Sequence, residues 1–261
     1  MTTAKQNTTK TVVIKLGGSL LSPYDKAMSQ LCSAQIPFDV DYANNLIQQL
    51  VRAPMRVVLL VGGGFLNRWY VKQMKASWNI EEGNTNDLHT IGIAASVINA
   101  STFKILLHNA LGVKQRLFPE VLKFHMYEHL DELRDQLEAS QFIVASGWKP
   151  GHSHDLDAVM FAEYFGETTF YSLKNIDGVY TADPEKDSTA RRLASLTWDE
   201  YFSIIKVTEH LPGANYPVDP IAAKESKEKN ITCYVMSGTE FSDVERVIHG
   251  QIPVQATRIS N

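Results

Sequence analysis

Five short stretches of this chain carry residue types suited to holding an anion. Ile14-Lys15-Leu16-Gly17-Gly18-Ser19 sets a lysine inside an apolar run and follows it with paired glycines. An inward-facing lysine is costly unless a charged partner meets it, and paired glycines let backbone amides approach an anion closely. The same residues also fit an edge strand with a solvated lysine and an ordinary turn, and taken alone they do not choose. The G-x-x-x-x-G-K-[ST] spacing of a Walker loop is absent. Val61–Arg68 runs an apolar strand into Gly62, Gly63 and Gly64 and then into a helical pattern. Amides and dipole at such a helix start favour an anion. Arg68, one turn in, adds a fork of donors suited to phosphate. A flexible connection is the plainer reading, but three glycines in a row cost backbone entropy.

Gly147–Asp155 leaves backbone accessible at Gly151 and Ser153 and reaches Asp155 where a helix begins. Asp155 is placed either as a plain N-cap or as a carboxylate orienting lysines around a transferring phosphate. His152 and His154 form an i, i+2 pair that could bind a metal; no third ligand is visible, so no metal site is assigned to the protein. Asp219-Pro220-Ile221-Ala222-Ala223-Lys224 marks a helix start, with Lys224 either reaching a cleft or solvated beside Lys227 and Lys229. The fifth stretch, Asn175–Pro184, follows the apolar run Thr169–Leu173. Gly178 can take a positive φ, Val179-Tyr180-Thr181 favours an extended path, and Pro184 bars a helix. A polar turn at the carboxyl edge of a parallel sheet is where α/β folds keep their ligands.

The elements that must position these residues alternate along the whole chain. Strands are expected at 11–16, 56–61, 104–108, 122–127, 141–146, 169–173 and 231–235, with a closing strand within 253–259. Helices are expected at 40–51 before Pro54, after Gly64 to about Lys75, and at 90–103, 129–138, 155–165, 198–205, 219–229 and 243–249. Repeated β-α units imply an α/β fold, a three-layer αβα sandwich with a mostly parallel central sheet. The segment 22–38 follows no period; a lid over the acceptor is one use for it.

Composition narrows the function classes. The chain has 261 residues, 44% hydrophobic and 21% charged, with a formal net charge of -4 and no basic block, so nucleic acid has no electrostatic footprint here. Small anions need only a local nest. Cys32 and Cys233 stand alone, outside any metal spacing, which fits a reducing compartment. The polar start, 1–10, reads as a disordered tail and lacks the apolar core of a signal peptide. No apolar run reads as a membrane span, so no membrane partner is expected and the cytoplasm is the expected location.

In this order and at this spacing the five stretches resemble the amino acid kinase superfamily, and within it the archaeal type of uridylate kinase, over about residues 11 to 250. The resemblance implies a single domain over 11–261, with an acceptor lobe to about 145 and an ATP lobe beyond. It implies ATP-dependent phosphoryl transfer to a small phosphorylated acceptor, UMP + ATP giving UDP + ADP, with Mg²⁺, in a homo-oligomer that is a hexamer in relatives. Lys15, Gly17, Gly18 and Ser19 would hold the ATP phosphates; Lys15, Asp155 and Lys224 would be catalytic. Lys174, Asn175, Asp177, Gly178, Tyr180 and Asp183 would line ATP. Gly62, Gly63, Gly64, Arg68, Asp87, His89, His152 and His154 would face the acceptor. Two positions depart from the pattern: His89 stands where the family has the acidic residue that holds the ribose, with Asp87 two positions earlier, and His154 replaces a threonine. Both departures lie on the acceptor side. Related kinases with other acceptors share much of this pattern; isopentenyl phosphate kinases carry a histidine after the glycine turn that this chain lacks, and acetylglutamate-type kinases resemble the 175–184 turn in part. Molybdenum storage proteins, which bind ATP and oxoanions on this fold, and inactive ATP-binding regulators are the non-catalytic alternatives.

Overall fold

Strand alternation decides which way each chemical side chain faces. The computed structural model describes residues 10–78, 85–112, 116–207 and 216–261; the 1–10 tail reading therefore falls almost wholly outside the described residues. Among the described residues nine strands occur: β1 (Thr11–Leu16), β2 (Arg56–Val61), β3 (Phe142–Ala145), β4 (Thr169–Lys174), β5 (Val179–Tyr180), β6 (Arg192–Leu193), β7 (Ser195–Thr197), β8 (Thr232–Ser237) and β9 (Ala256–Ser260). Seven form one sheet in the order β3-β2-β1-β4-β8-β9-β7, while β5 and β6 make a separate antiparallel hairpin. Every pairing in the large sheet is parallel except β8 with β9.

The helices are α1 (Gly18–Leu21), α2 (Tyr24–Cys32), α3 (Val40–Leu50), α4 (Gly64–Trp78), α5 (Thr85–Leu111), α6 (Arg134–Ala139), α7 (His154–Tyr164), α8 (Trp198–Ile205), α9 (Pro220–Glu228) and α10 (Phe241–Ile248). They cover both sheet faces. Val12, Ile14 and Leu16 of β1 pack with residues of α3, α5 and α10, such as Leu46, Phe103 and Val247. Val13 turns to the opposite face, among Phe161 of α7, Tyr201 of α8 and Ala222 of α9. Because strand side chains alternate, Lys15 shares the face of Val13 and points under α7. In β4, Ser172 and Lys174 take that same face by the same period.

Four expectations are corrected and one unassigned segment, 22–38, is filled. Lys104–His108 is helical, the last third of α5: Phe103, Leu107 and Leu111 are buried at helical spacing, and nothing breaks the run before Gly112 at φ +62. Leu122–Tyr127 gives only an isolated bridge, Leu122 to Ala145, and then a 3₁₀ turn over Phe124–His129. That turn displaces the following helix, so α6 starts at Arg134 and not at His129. Segment 22–38, aperiodic in sequence, contains α2. Finally, α5 is long and apolar enough over Asn86–Leu111 to cross a membrane by length and composition, which the sequence reading had denied. It serves as a core helix: it packs on α3, α4, β2 and β3, and its buried Asn99 and Ser96 bind the turns after β2 and β3.

Candidate active site

At the centre lies an ion pair between two layers. Lys15 Nζ is 3.2 Å from Asp155 Oδ1, and the two side chains are only 12% and 7% exposed. Ser172 Oγ donates to Asp155 Oδ1 at 3.2 Å, and the Asp219 backbone N–H donates to Oδ2 at 3.2 Å. Burial alone would raise the Asp155 carboxyl, but the Lys15 and Lys174 ammonium groups and the Asp219 amide outweigh it and hold the carboxyl below its ordinary value. The partner that an inward Lys15 required is therefore Asp155. Asp155 is not the helix cap: Ser153 is, accepting from the Leu156 N–H at 3.2 Å. Two residues, about half a turn of helix, separate the two duties, and Asp155 faces the sheet, where Lys15 and Ser172 meet it.

The glycine turns interlock above this pair. A Cβ on Gly18 would meet Gly64 N at 2.2 Å and Gly62 O at 2.5 Å; one on Gly64, which sits at φ +55, would meet Gly18 O at 2.2 Å. A Cβ on Gly63 would meet Asn67 Cβ at 2.9 Å and Gly92 O at 3.1 Å, a milder crowding. The amides of Gly17 and Gly62 are spent on the sheet, donating to Leu173 O at 2.8 Å and Leu16 O at 3.0 Å. The glycines thus bring the carboxyl ends of β1 and β2 into backbone contact. Asn99 of α5 clamps the second turn by donating to Gly62 O at 2.9 Å.

A cleft of about 1,330 Å³ opens beside the turns. Gly18, Ser19, Gly64 and Arg68 line it, and Arg68 Nη1 donates to Ser19 Oγ at 3.0 Å. Lys72 and Lys75 continue the Arg68 face of α4; across from them stand His89, His152, His154 and Asn175. The structure brings these separately predicted residues to one space. Asp87 is exposed at the start of α5 and is not among those lining the cleft.

The 175–184 stretch supplies β5, which pairs with β6 further along the chain. Tyr180 Oη donates to Asp177 Oδ1 at 2.7 Å, and Asp177 Oδ2 lies 3.4 Å from Arg192 Nε. Asp183 is exposed and caps its own turn through the Glu185 N–H at 3.0 Å, with Lys186 at 3.1 Å. Gly178 is not at positive φ; it is required because a Cβ there would lie 2.5 Å from Thr257 Oγ1. Lys224 is not brought to the Lys15–Asp155 pair. Ala222 and Ala223 fill the inner face of α9, and the Lys224 side chain is 70% exposed, 4.0 Å from Glu228.

Sequence reasoning missed Asp157, whose side chain is fully buried with His152 Nδ1 3.6 Å from Oδ1. The His152 ring lies edge-on to Trp148 at 4.6 Å, and Trp148 stacks on Tyr127 at 5.7 Å. Burial pushes the Asp157 carboxyl up to about 6, against the pull of His152. An aspartate two residues after Asp155, at an apolar position of α7, was the available signal. Lys72 and Lys75 were missed too, for nothing in their spacing separates them from solvated lysines. Among the described residues no group of three His, Cys, Asp or Glu is placed to hold a metal ion.

Residues 10–237 match the model of the amino acid kinase family. The chain is 30% identical over 242 residues to a uridylate kinase of Methanospirillum hungatei, covering 91% of this chain and 90% of that protein. It is 29% identical over 241 residues to one of Archaeoglobus fulgidus, covering 92% and 96%. The crystal structure of uridylate kinase from Archaeoglobus fulgidus superposes with a TM-score of 0.68 at 26% identity, over 95% of this chain and 99% of that one. The UMP kinase structure from Bacillus anthracis gives a TM-score of 0.68 at 16% identity, a likeness of fold.

Proposed function

The chain belongs to the amino acid kinase family, and on that premise we propose that it transfers the γ-phosphoryl group of ATP to the phosphate of UMP, giving UDP and ADP. The observation that carries this reading is the buried Lys15–Asp155 pair, with Lys15 two residues before the first of two interlocked glycine turns that line a cleft holding Arg68, Lys72 and Lys75. In the transfer a phosphate oxygen of UMP bonds to the γ-phosphorus, the bond to the β–γ bridging oxygen breaks, and ADP leaves with its electron pair. The acceptor phosphate needs no proton removed, which suits a site organised for positioning and charge neutralisation. Lys15 would meet the charge on the transferring group, Asp155 fixing its direction. Gly17, Gly18 and Ser19 would face the ATP phosphates; Asn175, Gly178, Asp177, Tyr180 and Asp183 would form the ATP side. Gly62, Gly63, Gly64 and Arg68 would face the acceptor phosphate, with His89, His152 and His154 around the rest of the acceptor and Asp87 at its margin. Mg²⁺ would enter on the triphosphate, whose charge it offsets, since the described residues offer it no carboxylate set.

The active form is proposed to be a cytoplasmic homo-oligomer, a hexamer by likeness to relatives. An uncharged stretch, Thr90–Phe103 of α5, leaves Ile98 53% exposed, with Ile105 beyond it 62% exposed; a second copy is the occupant we assign to that face. The two-lobe division near residue 145 is retained as part of the same reading. The test is ADP release with Mg²⁺-ATP against UMP, CMP, AMP, isopentenyl phosphate and N-acetylglutamate. Turnover with UMP in preference to the rest supports the reading; turnover confined to another acceptor replaces it. A second reading, ATP-dependent oxoanion storage, is favoured by one observation, the three imidazoles of His89, His152 and His154 around one cleft. Molybdenum or tungsten bound in the purified protein, with no kinase turnover, would select it.

A further inference from the structure

We propose that Lys174 is the second catalytic lysine of this site, acting with Lys15 on the phosphoryl group in transfer and filling the place that the family resemblance gives to Lys224. The proposal rests on the kinase reading above. Leu16 pairs with Leu173 across β1 and β4, so Lys174 lies one step past the paired residues, beside the first glycine turn. A Cβ on Gly17 would lie only 3.7 Å from Lys174 Cα. Strand alternation gives Lys174 the face of Ser172, under α7, where Lys15 and Asp155 meet. Its Nζ donates to the Tyr216 carbonyl at 2.7 Å, and its ammonium group faces that of Lys15.

Among the described residues Lys15 and Lys174 converge on one carboxylate, so both can be fully charged together only when a further anion joins them. From α7 comes Asp155, the one carboxylate shared by both lysines. From the start of α9 comes Asp219, whose Oδ1 accepts the N–H groups of Ile221 and Ala222. From β8 comes the Cys233 thiol and from α8 the Tyr201 phenol, both pushed up by burial first and so kept protonated and neutral. Two ammonium groups converging on one carboxylate, at the end of a glycine turn, make a place for a further anion. Lys224 has no such surroundings; its ammonium sits on the outer face of α9.

One consequence is measurable without turnover. Burial and then Lys15 push the Lys174 ammonium down to about 7, Asp155 pulling it back. A triphosphate beside it favours the charged form, so its pKa rises on binding and the complex holds more protons than the free protein. Uptake is then expected above about pH 7 and disappears below about pH 6, where Lys174 is already charged.

The experiment is titration calorimetry of Mg²⁺ with the imido analogue of ATP, in buffers of different ionisation enthalpy, at about pH 8 and about pH 6. Wild type should take up roughly one proton more at the higher pH. Lys174→Met and the permanently charged Lys174→Arg should bind the analogue without that difference. Lys174→Met should lose about 100-fold or more in UMP-dependent turnover, while Lys224→Met keeps wild-type turnover. Lys174→Met turning over like wild type, an uptake unchanged in both Lys174 variants, or loss of turnover in Lys224→Met would each overturn the proposal. Its failure is distinct from that of the kinase reading: uptake that depends on Lys174 without turnover of any acceptor supports the lysine assignment and sinks the acceptor, and full turnover in Lys174→Met does the reverse.

Discussion

Lys15 and Asp157 pose opposite problems of buried charge. Lys15 is balanced by Asp155, and its cost is recovered where negative charge develops. Lys15→Ala should lower turnover about 1,000-fold with little change in melting temperature, because Lys174 still faces Asp155; steady-state kinetics and thermal unfolding check both. Arg68→Ala should act on binding: an acceptor KM raised roughly 10- to 100-fold with a smaller effect on kcat, from loss of charge-assisted bonds. Among the described residues Asp157 lies beside His152 and near the like charge of Asp155. Its carboxyl is raised in the fold to about 6, so between the ordinary carboxylate value and about 6 the native state holds a proton that the unfolded chain has released. Stability contributed by this group is then full at low pH and falls as pH rises through that window. Asp157→Asn should therefore stabilise the fold near pH 7.5 by roughly 3 kcal/mol, seen as a higher melting temperature, and leave the melting temperature unchanged near pH 4. Melting curves at the two pH values decide this; an equal gain at both would show that the carboxylate is not the source.

The strands and their glycine turns were legible because they announce themselves locally. Apolar β-branched runs ending at Gly17–Gly18 and Gly62–Gly64 fixed β1 and β2, and Pro220 behind Asp219 fixed the start of α9. What could not be read was why the glycines are there. Two turns 44 residues apart touch backbone to backbone, which no local pattern encodes, so an anion nest was the only motive available from sequence. The prediction at this scale is structural: Gly18→Ala or Gly64→Ala should cost about 3 kcal/mol or more, because a Cβ at 2.2 Å from fixed backbone must part β1 from β2. Denaturant titration checks it, and Gly112→Ala, where φ is positive but space is open, should cost only about 1 kcal/mol. The misread end of α5 has the same origin. Lys104–His108 is β-like in composition, and only tertiary packing of Phe103, Leu107 and Leu111 selects the helix.

For the whole molecule, order along the chain carried the site further than any one motif. Lys15, Gly62, Asp155 and Asn175 lie at or after the carboxyl ends of β1, β2, β3 and β4, four neighbouring parallel strands, so a correct strand order nearly assembles them. The exposed placement of Lys224 could not be read from its motif, because a helix start does not say which face turns inward; Ala222 and Ala223 do. The exposed face of α5 is the feature of the whole molecule that composition hid, since its isoleucines look like core until the helix is seated. Ile98→Asp with Ile105→Asp should break the assembly into smaller species that remain folded, by sedimentation and circular dichroism. An unchanged sedimentation profile would assign the contacts between copies to another face.

Direct identification of the product tests the central claim most closely. Protein incubated with Mg²⁺-ATP and UMP should form UDP and ADP in equal amounts, resolved by chromatography, with Lys15→Ala forming neither above background. ADP without UDP, or UDP formed equally by the Lys15→Ala protein, would contradict the account.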